Sequence, residues 1–255
     1  IIFACSVVNL STSYSVSVAF PIVPLYASKN KIDEIYAGSI LGATSFAYLV
    51  ASPVIGFALL RWNCKTLMLW GLLGIALGDL IFAIAPLPLV MLLARIVTGI
   101  GNAAAEIAAM TFVSRHYTEH IGKCMSAFEV FQGVGWIIGP SVAGYLYESW
   151  GQLGFSAPFV VGALLSLAIL VIIQFLIGPN YAVPPPPKSA VAGEEGAAAP
   201  GLLATARKVL SNPHLAVTSL TLFLFSMTVN AVYSTVVEDS GLGSRTGGSL
   251  PAVGR

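Results

Sequence analysis

Six apolar runs, each close to the ~20 residues a helix needs to cross a hydrocarbon core, follow one another through residues 1–177 with only short polar breaks between them. Lipid offers no partner for backbone N–H and C=O groups, so runs of this length are read as a bundle of spanning helices. The polar breaks set the runs at 1–26, closed by Pro21 and Pro24, then at 35–60, 66–85, 89–112, 124–147 and 157–177. Pro86 and Pro88 leave only a minimal turn, which makes the third and fourth runs an antiparallel hairpin. Charged residues are 9% of the chain, against about 25% in an ordinary soluble domain, and the mean hydropathy is +0.86. The chain is therefore read as an all-α, multi-pass integral membrane protein whose first partner is the lipid bilayer.

Beyond residue 177 the pattern changes. Residues 178–212 hold the proline run Pro184 to Pro187 and the Glu194-Glu195 pair in an Ala/Gly background, a composition that cannot bury a core and reads as a flexible linker. A seventh apolar run covers 213–237, and the Gly/Ser-rich stretch 238–255 is expected to be a polar, disordered tail. Six spans, a linker and one further span read as one half of a larger bundle plus the first helix of a second half, so the chain is expected to be a fragment. A truncated product with no activity of its own is one reading of such a chain.

Basic residues orient the bundle. Arg61, Lys65, Arg115, Lys123, Lys188, Arg207 and Lys208 fall on one side of the predicted spans; Lys29 and Lys31, beside Asp33 and Glu34, fall on the other. The positive side, with the linker, is predicted to be cytoplasmic.

Several function classes drop out. A net charge of +1 without a basic patch gives no case for nucleic acid. Cys5, Cys64 and Cys124 lack C-x-x-C spacing, and His116 and His120 share a helical spacing with no third ligand near, so no metal site is expected. There is no nucleophile–base set and no phosphate loop, so neither an enzyme nor a cofactor is expected. No re-entrant filter segment is apparent, which favours a carrier over a channel.

The stretch EVFQGVGWIIGPSVAG, Glu129 to Gly144, concentrates the unusual chemistry. A carboxylate deep in a bilayer costs about 2.5–3.5 kcal/mol on insertion scales and usually faces a bundle interior or a wet cavity. Glu129 is accordingly the first site candidate, with a structural hydrogen bond to a neighbouring helix as the other reading. Gly135 and Gly139 form a small-xxx-small pair suited to close helix approach. Pro140 removes one helical hydrogen bond and permits bending. Similar glycine pairs stand at Gly38 and Gly42 and at Gly74 and Gly78.

Arg95 in the fourth run either snorkels to the interface or faces the bundle. Gly99 and Gly101 place a close-packing face beside it, and Glu106, eleven residues on, returns to roughly the same face after about three turns. Two opposite charges on one helix face are expected to line a polar cavity. Asp79, near the end of the third run, either reaches the headgroups or takes part in the path. Asn102 and Gln132 either line that path or act as interhelical glue.

Arg95-x-x-x-Gly99-x-Gly101 together with Gly135-x-x-x-Gly139-Pro140-x-x-x-Gly144, set on six spans and a linker, resembles the major facilitator superfamily. The glycine-proline pattern resembles that of its proton-coupled antiporters. Phe20-Pro21 and Ala127-Phe128-Glu129 make the chain similar to the vesicular amine transporter family, most of all its polyamine branch, over residues 1 to about 181. Two departures stand out. In the superfamily's loop motif G-x-L-x-D-R-x-G-R-[RK], Gly56, Arg61 and Lys65 fit, but Leu60 replaces the acid and Asn63 the glycine. Where the monoamine branch has an aspartate in span one, Thr12 stands here, which argues against a monoamine.

The resemblance implies alternating access, with protons flowing one way driving a small organic solute, a polyamine-like cation, the other. Another solute, such as a drug-like cation, is the alternative. Under this resemblance Glu129 and Glu106 are proton acceptors or cation partners, and Arg95 holds a neighbouring carboxylate charged. Gly135, Gly139, Pro140 and Gly144 set packing and flexing of the fifth span. The expected address is a vesicle or plasma membrane.

Overall fold

The computed structural model describes residues 2–30, 34–85, 87–178 and 217. Except for Gly178 and Val217, the expected linker, seventh span and tail lie outside the described residues, as do Lys31, Asp33, Lys188, Arg207 and Lys208. Within them the chain forms α1 (Ile2–Ser17), α2 (Ala19–Lys29), α3 (Glu34–Ala58), α4 (Cys64–Ile84), α5 (Pro88–His116), α6 (Ile121–Ser149) and α7 (Ala157–Leu176). Short 3-10 turns at Thr118–His120 and Gly151–Leu153 precede α6 and α7. The first two helices make one rod, Ile2–Lys29, and with α3, α4, α5 and α7 they are long and apolar enough to cross a membrane. The 29-residue α6 is longer than most of these but holds Lys123, Glu129, Gln132 and Glu148.

The first span does not close at Pro21 and Pro24 as expected. It continues to Lys29 with Pro24 inside α2. A proline forfeits only the bond to the carbonyl four residues back; for Pro21 that acceptor is Ser17, and the rod breaks there, at Val18, instead of ending. The Ser17 hydroxyl donates to the carbonyls of Tyr14 and Gly135, both 3.2 Å away. Pro88 and Pro158 sit in the first turns of α5 and α7, where a missing N–H has no partner to lose.

Helix approach is governed by small residues. A Cβ on Gly101 would stand 2.7 Å from the Ile75 nitrogen, and one on Gly78 would collide with Thr98, so α4 and α5 lie backbone against backbone. A Cβ on Gly99 would collide with the Thr44 carbonyl of α3. Gly135 sets α6 on α1, with Leu10 O at 2.8 Å from its would-be Cβ, and Gly139 abuts the Ser17 side chain. Gly38, Gly42, Gly56 and Gly144 differ: a Cβ on any of them meets nothing within 4 Å among the described residues. The small-xxx-small spacing marks a face that another helix can approach; whether one does depends on the tertiary arrangement.

Two apolar clusters fill the bundle. Cys5, Met68, Leu72, Phe112, Phe128 and Ile173 belong to the one nearer the basic end, and Ile22, Phe82, Met91 and Phe159 to the other. Between them in the register of α1, α4, α5 and α7 come buried polar residues: Ser11 to Ser13, Ser15, Asp79, Arg95, Thr98, Asn102 and Ser166. At the basic end, Lys65 Nζ donates to the carbonyls of Gln174 (3.0 Å) and Ile177 (2.6 Å), capping the negative end of α7. The Arg115 guanidinium approaches Cys64 Sγ at 3.9 Å. The α3–α4 turn, the end of α5 and the end of α7 thus share one side of the bundle, as the basic residues require.

Candidate functional site

The polar layer divides into two neighbourhoods. The first is sealed. Asp79, on α4, is fully buried, not at the headgroups, and Arg95, on α5, is 1% exposed. Their closest approach, Arg95 NH1 to Asp79 Oδ1, is 3.9 Å. The Ser15 hydroxyl of α1 lies 2.8 Å from both carboxylate oxygens, and Arg95 NH1 donates to the Ser15 carbonyl at 3.1 Å. The guanidinium stacks over the rings of Phe82 (4.7 Å) and Phe159 (5.4 Å), π faces that attract a cation. Arg95 Nε and NH2 have no hydrogen-bond partner among the described residues. Gly162 of α7 leaves room for the carboxylate, since a Cβ there would be 3.0 Å from Asp79 Oδ2. Four helices, α1, α4, α5 and α7, therefore meet on one ion pair.

The second neighbourhood is an open cleft of about 80 Å³, lined by Thr12, Ser13, Val16, Tyr48, Asn102, Glu106, Gln132 and Trp136. Glu106 is half-buried and shares the cleft lining with Tyr48 of α3. Asn102 stands one turn before it on α5, 2% exposed, with both amide atoms unpartnered. The Thr12 hydroxyl is turned back to the Asn9 carbonyl at 2.9 Å. From α6 come Gln132 and Trp136; Glu129, one turn before Gln132 on that face, is exposed and close enough to Glu106 for their charges to interact.

The expected pairing of Arg95 and Glu106 on one cavity is thus corrected. They do share a stripe of α5 with Thr98 and Asn102, but the stripe changes partners along its length. At Arg95 it faces α4 and α7, which close over it; at Glu106 it faces α3 and α6 across the cleft. Gly99 and Gly101 serve the packing of α5 on α3 and α4. Arg61 is exposed, and Lys65 is committed to α7.

Sequence reasoning passed over Tyr48, Ser13, Trp136 and the Ser15–Asp79 contact. The hydroxyl-rich segment STSYSVS, Ser11 to Ser17, was the available signal: a helix so dense in hydroxyls has no face suited to lipid, and nearly all of it is buried.

The chain is 27% identical over 188 residues to the MFS-type transporter SLC18B1 of Homo sapiens, covering 71% of this chain and 40% of that protein. It is 27% identical over 154 residues to the synaptic vesicular amine transporter of Rattus norvegicus, 60% of this chain and 29% of that one. Against the class H tetracycline resistance protein of Pasteurella multocida it is 27% identical over 177 residues, 66% and 42% of the two chains. The chain thus spans less than half the length of these relatives. Among solved structures, a peptide transporter POT in complex with sulfate superposes with a TM-score of 0.64 at 16% identity, over 92% of this chain and 51% of that one, a likeness of fold alone. The Major Facilitator Superfamily model matches residues 5–254, and with six long helices packed in this way the chain belongs to that superfamily of membrane transporters.

Proposed function

We propose that this unit belongs to a proton-coupled antiporter of an organic cation, an amine of polyamine-like character, and that the Glu106 cleft is its half of the solute site. The observation that carries the reading is a half-buried carboxylate, Glu106, on the wall of an open cleft whose other groups are hydroxyls, amides and aromatic rings, with a second carboxylate, Glu129, on the facing helix. Carboxylates attract a cation, tryptophan and tyrosine faces attract it further, and hydroxyls and amides accept its N–H bonds. Two acids so close together also offer more than one place for an exchanged proton. In alternating access, a second unit facing this cleft would close the site from one side at a time. Gly135 and Gly139 let α6 lie close on α1, and Pro140 lets it bend as the cleft opens and closes. The curated relatives include a vesicular amine transporter, which supports an amine as solute and a vesicle membrane as the address.

The test is uptake of labelled polyamine and monoamine into acidified proteoliposomes, by this 255-residue chain and by a version completed to twelve spans. The completed protein is expected to take up polyamine in exchange for protons, and its Glu129→Gln variant to lose that uptake. Retained uptake with unchanged proton dependence removes Glu129 from the mechanism; absence of amine movement under a proton gradient ends the amine reading. A second reading, export of a drug-like cation, is favoured by the tetracycline resistance proteins among the relatives. Competition between polyamine and such a cation for the same uptake separates the two.

A further inference from the structure

Asn102 is a buried polar side chain in the cleft wall whose amide has no partner among the described residues. It is 2% exposed, and neither its amide oxygen nor its amide nitrogen has a hydrogen-bond partner among the described residues. Native interiors rarely leave an amide unpaired at both ends, and such a group calls for an unseen partner. Its surroundings do not supply one. The Thr12 hydroxyl is spent on the Asn9 carbonyl, and no other group among the described residues hydrogen-bonds to the amide. The amide forms part of the same lining as Glu106, one turn further along α5, and Trp136 of α6.

We infer that Asn102 is the specificity-determining residue of the cleft, selecting cations that carry N–H donors, primary and secondary ammonium groups, over fully N-methylated ones. This rests on the reading of the cleft as an organic-cation site. Charge alone does not make the distinction, because the carboxylates of Glu106 and Glu129 attract any cation. The faces of Trp136 and Tyr48 do not make it either, since quaternary ammonium groups bind aromatic faces well. The amide does. An ammonium N–H satisfies its oxygen, whereas a methylated nitrogen covers that oxygen and offers nothing, leaving a desolvated acceptor unpaired. A site built to hydrogen-bond a substrate rejects the analogue lacking that group far more strongly than an apolar pocket rejects a change of size. Glu106 reinforces the preference but keeps Coulomb attraction for the methylated cation; Asn102, being neutral, does not.

The matched probes are 1,6-diaminohexane and hexamethonium, which share charge and chain length and differ in N–H content. Competition binding on the full-length protein is expected to favour the diamine by roughly 10- to 100-fold. Asn102→Leu is expected to bring that ratio to within about threefold, weakening the diamine, which loses its acceptor, and strengthening hexamethonium, which no longer covers one. Because the amide makes no bond within the bundle, its replacement breaks none; Asn102→Ala, smaller than the native residue, repeats the test without crowding. Equal affinities in the unaltered protein, or a ratio that survives both substitutions, overturn the inference and leave the cation site standing. Failure of both probes to bind overturns the inference and the cation reading together.

Discussion

The ion-pair node and the cleft draw on the same two helices, α1 and α5, and on similar residue types, yet one is sealed and the other open. Asp79 and Arg95 are enclosed by α1, α4, α5 and α7, with two phenylalanine rings over the guanidinium. Glu106, eleven residues along α5 from Arg95, stands beside Tyr48 in the cleft wall and keeps an open side. The difference lies in what stands opposite. Partners from four helices turn a charged pair into a structural joint, whereas a gap between α3 and α6 leaves a carboxylate free to exchange its partner.

That contrast predicts very unequal losses on replacing the two acids. Asp79→Leu strands a buried guanidinium and is expected to destabilise the bundle by about 3–5 kcal/mol, whereas Asp79→Leu combined with Arg95→Met is expected to recover most of the loss. Glu106→Gln keeps the size at a half-buried position on an open cleft, and its effect on stability is expected to stay below about 1 kcal/mol. Unfolding of the purified chain in detergent measures all three. Equal losses for Asp79→Leu and Glu106→Gln break the comparison.

Packing sharpens it. Gly135→Val is expected to lower stability by about 1–3 kcal/mol, because the new side chain meets the Leu10 backbone at the α1–α6 contact that borders the cleft. Gly144→Ala, on the same helix with open space at its Cβ, is expected to be neutral or slightly stabilising through helix propensity. Thermal unfolding of the two variants side by side checks the difference, and a Gly144 variant as damaging as the Gly135 one contradicts the packing.

The smallest effect belongs to the basic end. Lys65→Ala removes the cap on the α7 carbonyls and is expected to cost about 0.3–1 kcal/mol, mostly at low salt. Lys65→Arg is expected to retain most of it. A salt titration of unfolding separates this charge–dipole effect from lost packing.

Much of the fold was legible because membrane spans are a local property. A run of about 20 apolar residues announces itself without knowledge of its neighbours, and five of the six expected runs match long helices within a few residues at most boundaries. The first run's end was misjudged because proline breaks only one bond, and only the folded rod shows that the chain continues past it. Arg95, Glu106 and Asn102 could be named from the sequence as polar groups in an apolar helix. Their partners could not, since Asp79 and Ser15 lie on other helices and a salt bridge is decided by which faces meet. Tyr48 carried no sequence signal of its own; only the placing of α3 sets it in the cleft wall with Glu106.

The sequence by itself determined that this is a bundle of membrane-spanning helices, which end is basic, and which helices hold groups that lipid would reject, because these follow from transfer energies of single segments. The tertiary structure decided that Asp79 pairs with Arg95 and not with the headgroups, that Gly135 and Gly139 are contacts while Gly38 and Gly42 are not, and that Glu106 and Asn102 face a cleft. Those outcomes depend on the rotation of each helix about its axis and on what stands across from it, and several-residue periodicity within one helix carries no information about its neighbour.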